Sequence, residues 1–250
     1  MSFSVDLVSE DSFYENITLG VTRVLESDPR ISNVAVERRS PCDRIAISNW
    51  EQRHSTILPD DLRNFYASSD GFLLTWNFKY SADEILQVGS IKVNSLSELC
   101  LSAGLKDLLD FSVTRNSSGS RPVLNPKSKV FELDTCRNIG KVCLICTNGS
   151  WSIWLATREG AWGWLADSFT CYFRMSLVHL GLPGWQAAFT NLPLIPWAEQ
   201  LFLLLAPHLL ERETDSTNAS GSETGLNHID PNIFKNSVRH YKTNRQPNNQ

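Results

Sequence analysis

Cys143 and Cys146 stand two residues apart, the spacing with which a zinc knuckle or a thiol–disulfide exchanger brings two sulfur atoms together. That chemistry needs a tight turn between the cysteines and, for a structural metal, a second pair of ligands. Here Val142-Cys143-Leu144-Ile145 is an apolar run of strand character, and Cys42, Cys100, Cys136 and Cys171 supply no second pair. Both thiols are read as buried structural groups, and no metal site is expected. Asp60 and Asp61 are adjacent carboxylates, but they follow Pro59 at a helix start, where the positive end of the helix dipole accounts for them without acid–base work. The histidines, His54, His179, His208, His228 and His240, are scattered with no metal-binding pairing. Glycine-rich phosphate cradles, a G-x-S-x-G elbow and a lysine placed for nucleotide are absent from the sequence. The residues therefore assign no catalytic group and no cofactor.

Aromatic residues carry the stronger signal. Of eight tryptophans, Trp151, Trp154, Trp162 and Trp164 crowd two neighbouring strands. Period-two alternation puts Trp162 and Trp164 on one face with Gly163 on the other, and puts Trp151 and Trp154 on opposite faces. Most of these rings are expected in the core, yet two strands do not easily bury both faces, so at least one tryptophan is expected at a protein interface, where aromatics act as anchors. Trp154, Trp162 and Trp164 are the candidate partner-binding residues of this region. Base stacking is disfavoured, because Arg158 is the one basic residue among them.

The elements that must position these groups are legible from periodicity and punctuation. Phe13, Ile17, Val21, Val24 and Leu25 mark one face of an N-terminal helix ending near Ser27-Asp28-Pro29. A strand at Val34–Val36 and a helix from Ile45 to Arg53 follow. Pro59 opens the next helix in its first turn, Leu62, Phe65 and Tyr66 share its inward face, and Gly71 is expected to end it in the left-handed conformation. Strands at 72–78 and 85–93 lead to Ser95-Leu96-Ser97-Glu98, a capping box that predicts a helix through about Leu109. After a polar loop at 112–128, strands near 130–133, 142–145, 151–156 and 161–165 are punctuated by Asn148-Gly149 and Glu159-Gly160, the pattern of an antiparallel meander. Asp167 is expected to cap a helix reaching His179. The apolar run Leu192–Leu210 is interrupted by Pro193, Pro196, Glu199 and Pro207, which reads as a buried helix rather than a membrane span. The fold class is α+β: a central, mainly antiparallel sheet flanked by helices.

The chain has 250 residues, 42% of them hydrophobic, which suffices for one large domain over residues 1–210. Beyond residue 211 the composition turns to Thr, Ser, Asn and Gly, and predicts a disordered tail. One apolar island, Ile229-Asp230-Pro231-Asn232-Ile233-Phe234-Lys235, interrupts it. Ile229, Ile233 and Phe234 make this island a docking-segment candidate that folds on binding. Net charge is −4 overall but −8 over residues 1–234, because Lys235, Arg239, Lys242 and Arg245 lie in a stretch without acids. An acidic body argues against a nucleic-acid partner, and the basic end suits an acidic one. The N-terminus lacks the basic and apolar regions of a secretory signal, so a cytoplasmic setting is expected.

Several stretches carry a family resemblance. They are Thr18 through Ser27, Ser48-Asn49-Trp50-Glu51-Gln52, Pro59 through Trp76 and Gly89 through Ser95. They continue with Val130 through Cys136, Gly140 through Leu144, and Asp167 through Pro183. Over most of residues 18–190 the chain resembles the tubulin polyglutamylase complex subunit 2 family, itself similar to SMI1/KNR4-like domains. Loop 112–128 is shorter than that family's pattern. The resemblance implies a noncatalytic subunit that scaffolds or regulates a tubulin tyrosine ligase-like enzyme adding glutamate chains to tubulin. It implies contact with the other subunits and with microtubules in the cytoplasm, at the centrosome or at the basal body of a cilium. Lys235, Arg239, Lys242 and Arg245 would then touch acidic tubulin tails. A glutamate ligase needs nucleotide and magnesium, and the residues offer a motif for neither. The alternative is an SMI1/KNR4-like interaction module with a different partner.

Overall fold

Two antiparallel meanders separated by a long connection give the chain its plan. The computed structural model describes residues 10–102, 121–136, 139–190 and 192–207. In order these form α1 (Glu10–Ile17), α2 (Val21–Ser27), β1 (Ile31–Glu37), α3 (Arg44–His54), α4 (Asp60–Tyr66), β2 (Phe72–Lys79) and β3 (Ile85–Val93). Then come β4 (Lys129–Cys136), β5 (Gly140–Thr147), β6 (Ser150–Thr157), β7 (Trp162–Ala166), α5 (Phe169–Val178), α6 (Trp185–Phe189) and α7 (Pro196–Leu205). The mixed helical and antiparallel architecture is as expected, but the strands form two sheets, β1-β2-β3 and β4-β5-β6-β7, rather than one. The physical reason lies at the edge of β4. Cys100–Ser102 occupy it: Glu132 N donates to the Cys100 carbonyl (3.2 Å), Ser102 N donates to the Val130 carbonyl (2.9 Å), and Leu101 pairs with Phe131. With that edge taken, β3 meets β4 at its end through Asn94, whose N–H donates to the Leu133 carbonyl at 2.9 Å.

The core side of each sheet follows from alternation. Phe72, Leu74, Trp76 and Phe78 are buried along β2, and Phe131, Leu133, Val142, Leu144, Ile153, Leu155 and Leu165 line the second sheet. The helices add Ile47 and Trp50 from α3, Leu62, Phe65 and Tyr66 from α4, and Phe169, Tyr172 and Phe173 from α5. Three buried side-chain donors are satisfied by backbone acceptors. Trp76 Nε1 donates to the Leu180 carbonyl (2.8 Å), Trp50 Nε1 to the Leu99 carbonyl (2.9 Å), and Tyr66 Oη to the Asn94 carbonyl (2.9 Å).

Several local expectations are corrected. The N-terminal helix is two helices, because Leu19 and Gly20 adopt positive φ (52° and 76°) and reset the helical phase; Val24 is consequently exposed. Pro59 precedes α4 with extended ψ (143°) instead of lying in its first turn. Gly71 does adopt positive φ (88°), yet α4 has already ended at Tyr66, and the glycine serves the entry to β2. The capping box forms, with Ser95 N donating to Glu98 Oε2 (3.0 Å), and that bond holds the Glu98 carboxyl below its ordinary pKa. It closes a single turn, because the chain is claimed at Leu101 by pairing with β4; residues 103–109 lie outside the described residues. Ser168, not Asp167, caps α5, accepting from Cys171 N at 3.2 Å. α7 buries Ala198, Leu201 and Phe202 but exposes Trp197, Leu203 and Leu204, so it is half-buried rather than buried. Among the described residues, no helix is long and apolar enough to cross a membrane.

Two predictions follow. An added Cβ at Gly71 would lie 2.7 Å from the Val93 carbonyl oxygen, whereas at Gly20, also at positive φ, it would meet nothing within 4 Å. Gly20→Ala should cost about 1 kcal/mol from backbone strain alone, and Gly71→Ala at least about 1 kcal/mol more. Urea midpoints check the order; equal losses would refute the contact at Gly71. The second concerns Asp134, buried beside Tyr172 and Cys136 with Oδ1 unpartnered. Burial pushes its carboxyl from the ordinary 3.8 up to about 7, against the opposing charge of Lys92. Between those values the folded chain holds a proton that the unfolded chain has released, so stability falls as pH rises through this window and levels off above it. Asp134→Asn should flatten the profile and gain about 1–3 kcal/mol at about pH 8. Urea titrations at about pH 5 and about pH 8 test it, and an unchanged slope refutes it.

Candidate partner-binding surface

The second sheet carries apolar side chains on both faces. Trp154 pairs with Trp164 and Ala156 with Trp162 across β6 and β7, and Cys143 pairs with Trp154 across β5 and β6. Cross-strand partners point to the same side, so Trp154, Ala156, Trp162, Trp164, Cys143 and Ile145 share the outer face. A bulge between Ile153 and Trp154 keeps this register while Leu165 and Ala166 enter the core. Val130, Cys143, Ile145, Ala156 and Trp162 form a second buried cluster, against which Leu124 and Trp154 pack half-buried. At the other end of the face, Lys141 Nζ meets Glu132 Oε2 at 2.5 Å, giving it a polar margin.

Each of the three indoles on this face solves its hydrogen bonding differently. Half-buried Trp154 donates from Nε1 to Ser152 Oγ (3.0 Å), and half-buried Trp164 donates to Asp167 Oδ1 (3.1 Å). Trp162 is only 3% exposed, and its Nε1 is buried without an acceptor. An unmade bond at such a donor costs about 1–3 kcal/mol. The half-buried rings of Trp154 and Trp164 leave apolar area on this face, whereas the Trp162 N–H is sealed within the cluster beneath them.

Two concave regions flank the sheet. A groove of about 280 Å³ runs beside β6, between Pro59–Asp61 ahead of and within α4 and Asp167–Phe169 at the start of α5, with Trp151 in its wall. Asp61 Oδ2 spans the two helices, accepting from Thr170 N (2.8 Å) and Thr170 Oγ1 (3.2 Å). That bond gives Asp61 a structural duty in place of acid–base chemistry. A second cavity of about 480 Å³ lies between α3 and the Leu96–Cys100 turn, lined by Cys42, Trp50, Arg53 and Asp70. Burial and the Asp70 carboxylate push the Cys42 thiol up to about 12, which leaves it a poor nucleophile.

Trp162 and Trp164 thus share a face as alternation predicts, and the pairing of β6 with β7 adds Trp154 to it. Ile229, Ile233, Phe234, Lys235, Arg239, Lys242 and Arg245 lie outside the described residues. Cys143 and Cys146 point to opposite faces of β5, the first into the outer cluster and toward the Lys141 carbonyl, the second toward Thr56 Oγ1 (3.7 Å), so they cannot share one metal ion. Among the described residues no three His, Cys, Asp or Glu side chains converge as metal ligands. His54 packs on Trp50 and Phe131, and His179 stacks on Trp185 at 4.9 Å. Sequence reasoning missed Ser152 and Asp167 as indole acceptors, and the groove altogether. The acceptors had a local signal, since each lies within three residues of its tryptophan.

No family model matches the chain. It is 37% identical to the rat tubulin polyglutamylase complex subunit 2 over 246 residues, spanning 88% of this chain and 80% of the relative. Identity to the human protein of that name is 36% over 247 residues, 88% of this chain and 79% of the relative. The mouse counterpart is 36% identical over 246 residues.

The open donor of Trp162 makes a contrast that can be measured. Trp76→Phe deletes a bond that is made and strands the Leu180 carbonyl, whereas Trp162→Phe deletes a donor with nothing to lose. Both shed similar volume, so Trp162→Phe should cost the isolated chain at least about 1 kcal/mol less than Trp76→Phe. Equal losses in urea titration would show that the Trp162 N–H is satisfied.

Proposed function

The chain belongs to the tubulin polyglutamylase complex subunit 2 family, and on that premise we propose that it is a noncatalytic subunit of a tubulin polyglutamylase. In this reading it scaffolds or regulates a tubulin tyrosine ligase-like enzyme that builds glutamate chains on tubulin, in the cytoplasm on microtubules and at the centrosome or ciliary basal body. The globular part is an SMI1/KNR4-like interaction domain. The observation that carries the reading is the outer face of the second sheet, where Trp154 and Trp164 remain half-buried beside a small apolar cluster. Such a face gains from being covered. The sequence also lacks the nucleotide-binding motifs that a ligase would need. The tail divides the remaining work: Ile229, Ile233 and Phe234 dock on another subunit, while Lys235, Arg239, Lys242 and Arg245 add salt-sensitive attraction to acidic tubulin tails.

Co-expression of the tagged full chain with the other subunits tests this. Trp154→Ala with Trp164→Ala should lower recovery of the ligase subunit about fivefold or more, with tubulin glutamylation falling in parallel, while circular dichroism confirms folding. Deleting residues 236–250 should spare assembly and weaken microtubule co-sedimentation, mainly at low ionic strength. Recovery of the ligase at parental level by the folded tryptophan variant would reject the face as the docking site. Assembly with an unrelated partner in place of the ligase would favour the alternative of a free interaction module.

A further inference from the structure

The groove beside β6 lies on the core side of the second sheet, opposite the tryptophan face, and the two meet at the sheet's end. Ser152 and Asp167 line the groove, and they are the acceptors of the Trp154 and Trp164 indoles. The groove and the tryptophan face therefore adjoin around the end of β6 and β7 where Ser152 and Asp167 lie, while Trp162, at the other end of β7, stands apart from the groove. At about 280 Å³ the groove lies just under the roughly 300–1,000 Å³ of small-molecule pockets, and suits one or two side chains of a docked segment. Its interior is apolar, with Leu144, Ile153 and Phe169 beneath Trp151, while its mouth holds Asp60, Asp61 and Asp167.

Charge decides the occupant. Among the described residues, no cation lines the groove and none of the three aspartates is in an ion pair. Asp61 is committed to Thr170, and Asp167 gives one oxygen to Trp164. That leaves the exposed Asp60 and the second oxygen of Asp167 to meet a cation. An acidic segment would be repelled here, and the −8 of residues 1–234 adds to the effect at longer range. An arginine fits all three features: its stem covers apolar surface, its guanidinium stacks on an indole, and its planar donors match carboxylates.

We propose that this groove receives an arginine from a basic, apolar segment of the partner subunit that covers the tryptophan face, seated on Trp151 with its charge between Asp60 and Asp167. The proposal rests on the reading of that face as a subunit interface, and it adds the partner's chemistry. It also assigns the two charged regions of the chain to different ligands: the acidic groove to a basic subunit segment, and the basic C-terminal end to an acidic one.

The test uses the purified full chain and fluorescein-labelled peptides of alternating leucine and arginine, or leucine and glutamate, read by fluorescence anisotropy. The arginine peptide should bind about tenfold or more tightly than the glutamate peptide. Asp60→Asn with Asp167→Asn should weaken it about fivefold or more, asparagine still offering Trp164 an acceptor. A charge-matched pair on the β2–β3 turn, Asp83→Asn with Glu84→Gln, should change it less than about twofold. Equal loss from both pairs, parental binding by the groove pair, or no preference for arginine overturns the proposal. Asp60→Asn alone, at an exposed position, repeats the test should the double variant melt early. Discrimination by the groove with intact co-purification of the Trp154/Trp164 variant would sink the interface reading alone, and the reverse result the groove alone.

Discussion

Asn94 holds the two sheets together. Its backbone N–H donates to the Leu133 carbonyl, its side-chain amide to the Glu132 carbonyl (3.1 Å), and its own carbonyl accepts from Tyr66 of α4. One residue at the end of β3 thus ties the first sheet, the second sheet and a helix. The residue is buried, so these bonds lack competition from water and set the placement of β4 relative to α4. The groove depends on that placement, because one wall comes from the start of α4 and the other from the start of α5. Asp61 completes the tie by bonding Thr170 across 109 residues of sequence.

The second constraint is that the β4–β7 sheet has apolar residues on both sides. Its inner face is satisfied by the common core, with Phe131, Leu144 and Ile153 packed beneath helices. The outer face has a smaller cluster of its own and reaches the surface through Trp154 and Trp164. Tryptophan is well suited to such a position, since each indole offers a large rigid area and one donor. Two of the three donors are used locally, which holds the exposed rings in place. A surface made of fixed rings loses little conformational freedom when covered, so more of the contact energy remains for affinity.

Legibility in the sequence tracked the range of the determining interaction. Strand alternation around Trp162 and Trp164 is a property of adjacent residues, so their shared face could be read directly, whereas its outward orientation and the addition of Trp154 come from pairing with β6. Gly71 was legible as a positive-φ position, though its role in entering β2 was not, because the contacts at Val93 O and Arg39 come from elsewhere in the chain. Ser95 and Glu98 made their capping box as local rules require, and still no helix followed at residues 100–102, since pairing of Leu101 with Phe131 outweighed local preference. Asp167 and Ser168 are both good caps, and the choice between them fell to Trp164, which engages the aspartate. The groove had no local signature at all, because α4, β6 and α5 contribute its walls. The N-terminal helix differs from its periodicity for another reason: the left-handed pair Leu19-Gly20 resets the helical phase, so Leu25 stays in the core while Val24 turns out to solvent.

The segment Cys100–Ser102, laid along the margin of β4, bears on how this protein can associate with copies of itself. A strand margin with open N–H and carbonyl groups is a template, and chains that add to it one after another give open-ended aggregates. At β4 that template is already occupied by the chain's own backbone. At the opposite margin, β7 spans five residues and carries a bulge, which offers a short and twisted template. Association through the second sheet is therefore steered from ladder addition to side-chain recognition across its outer face, a mode that is saturated once the face is covered and so favours a fixed number of neighbours over indefinite growth.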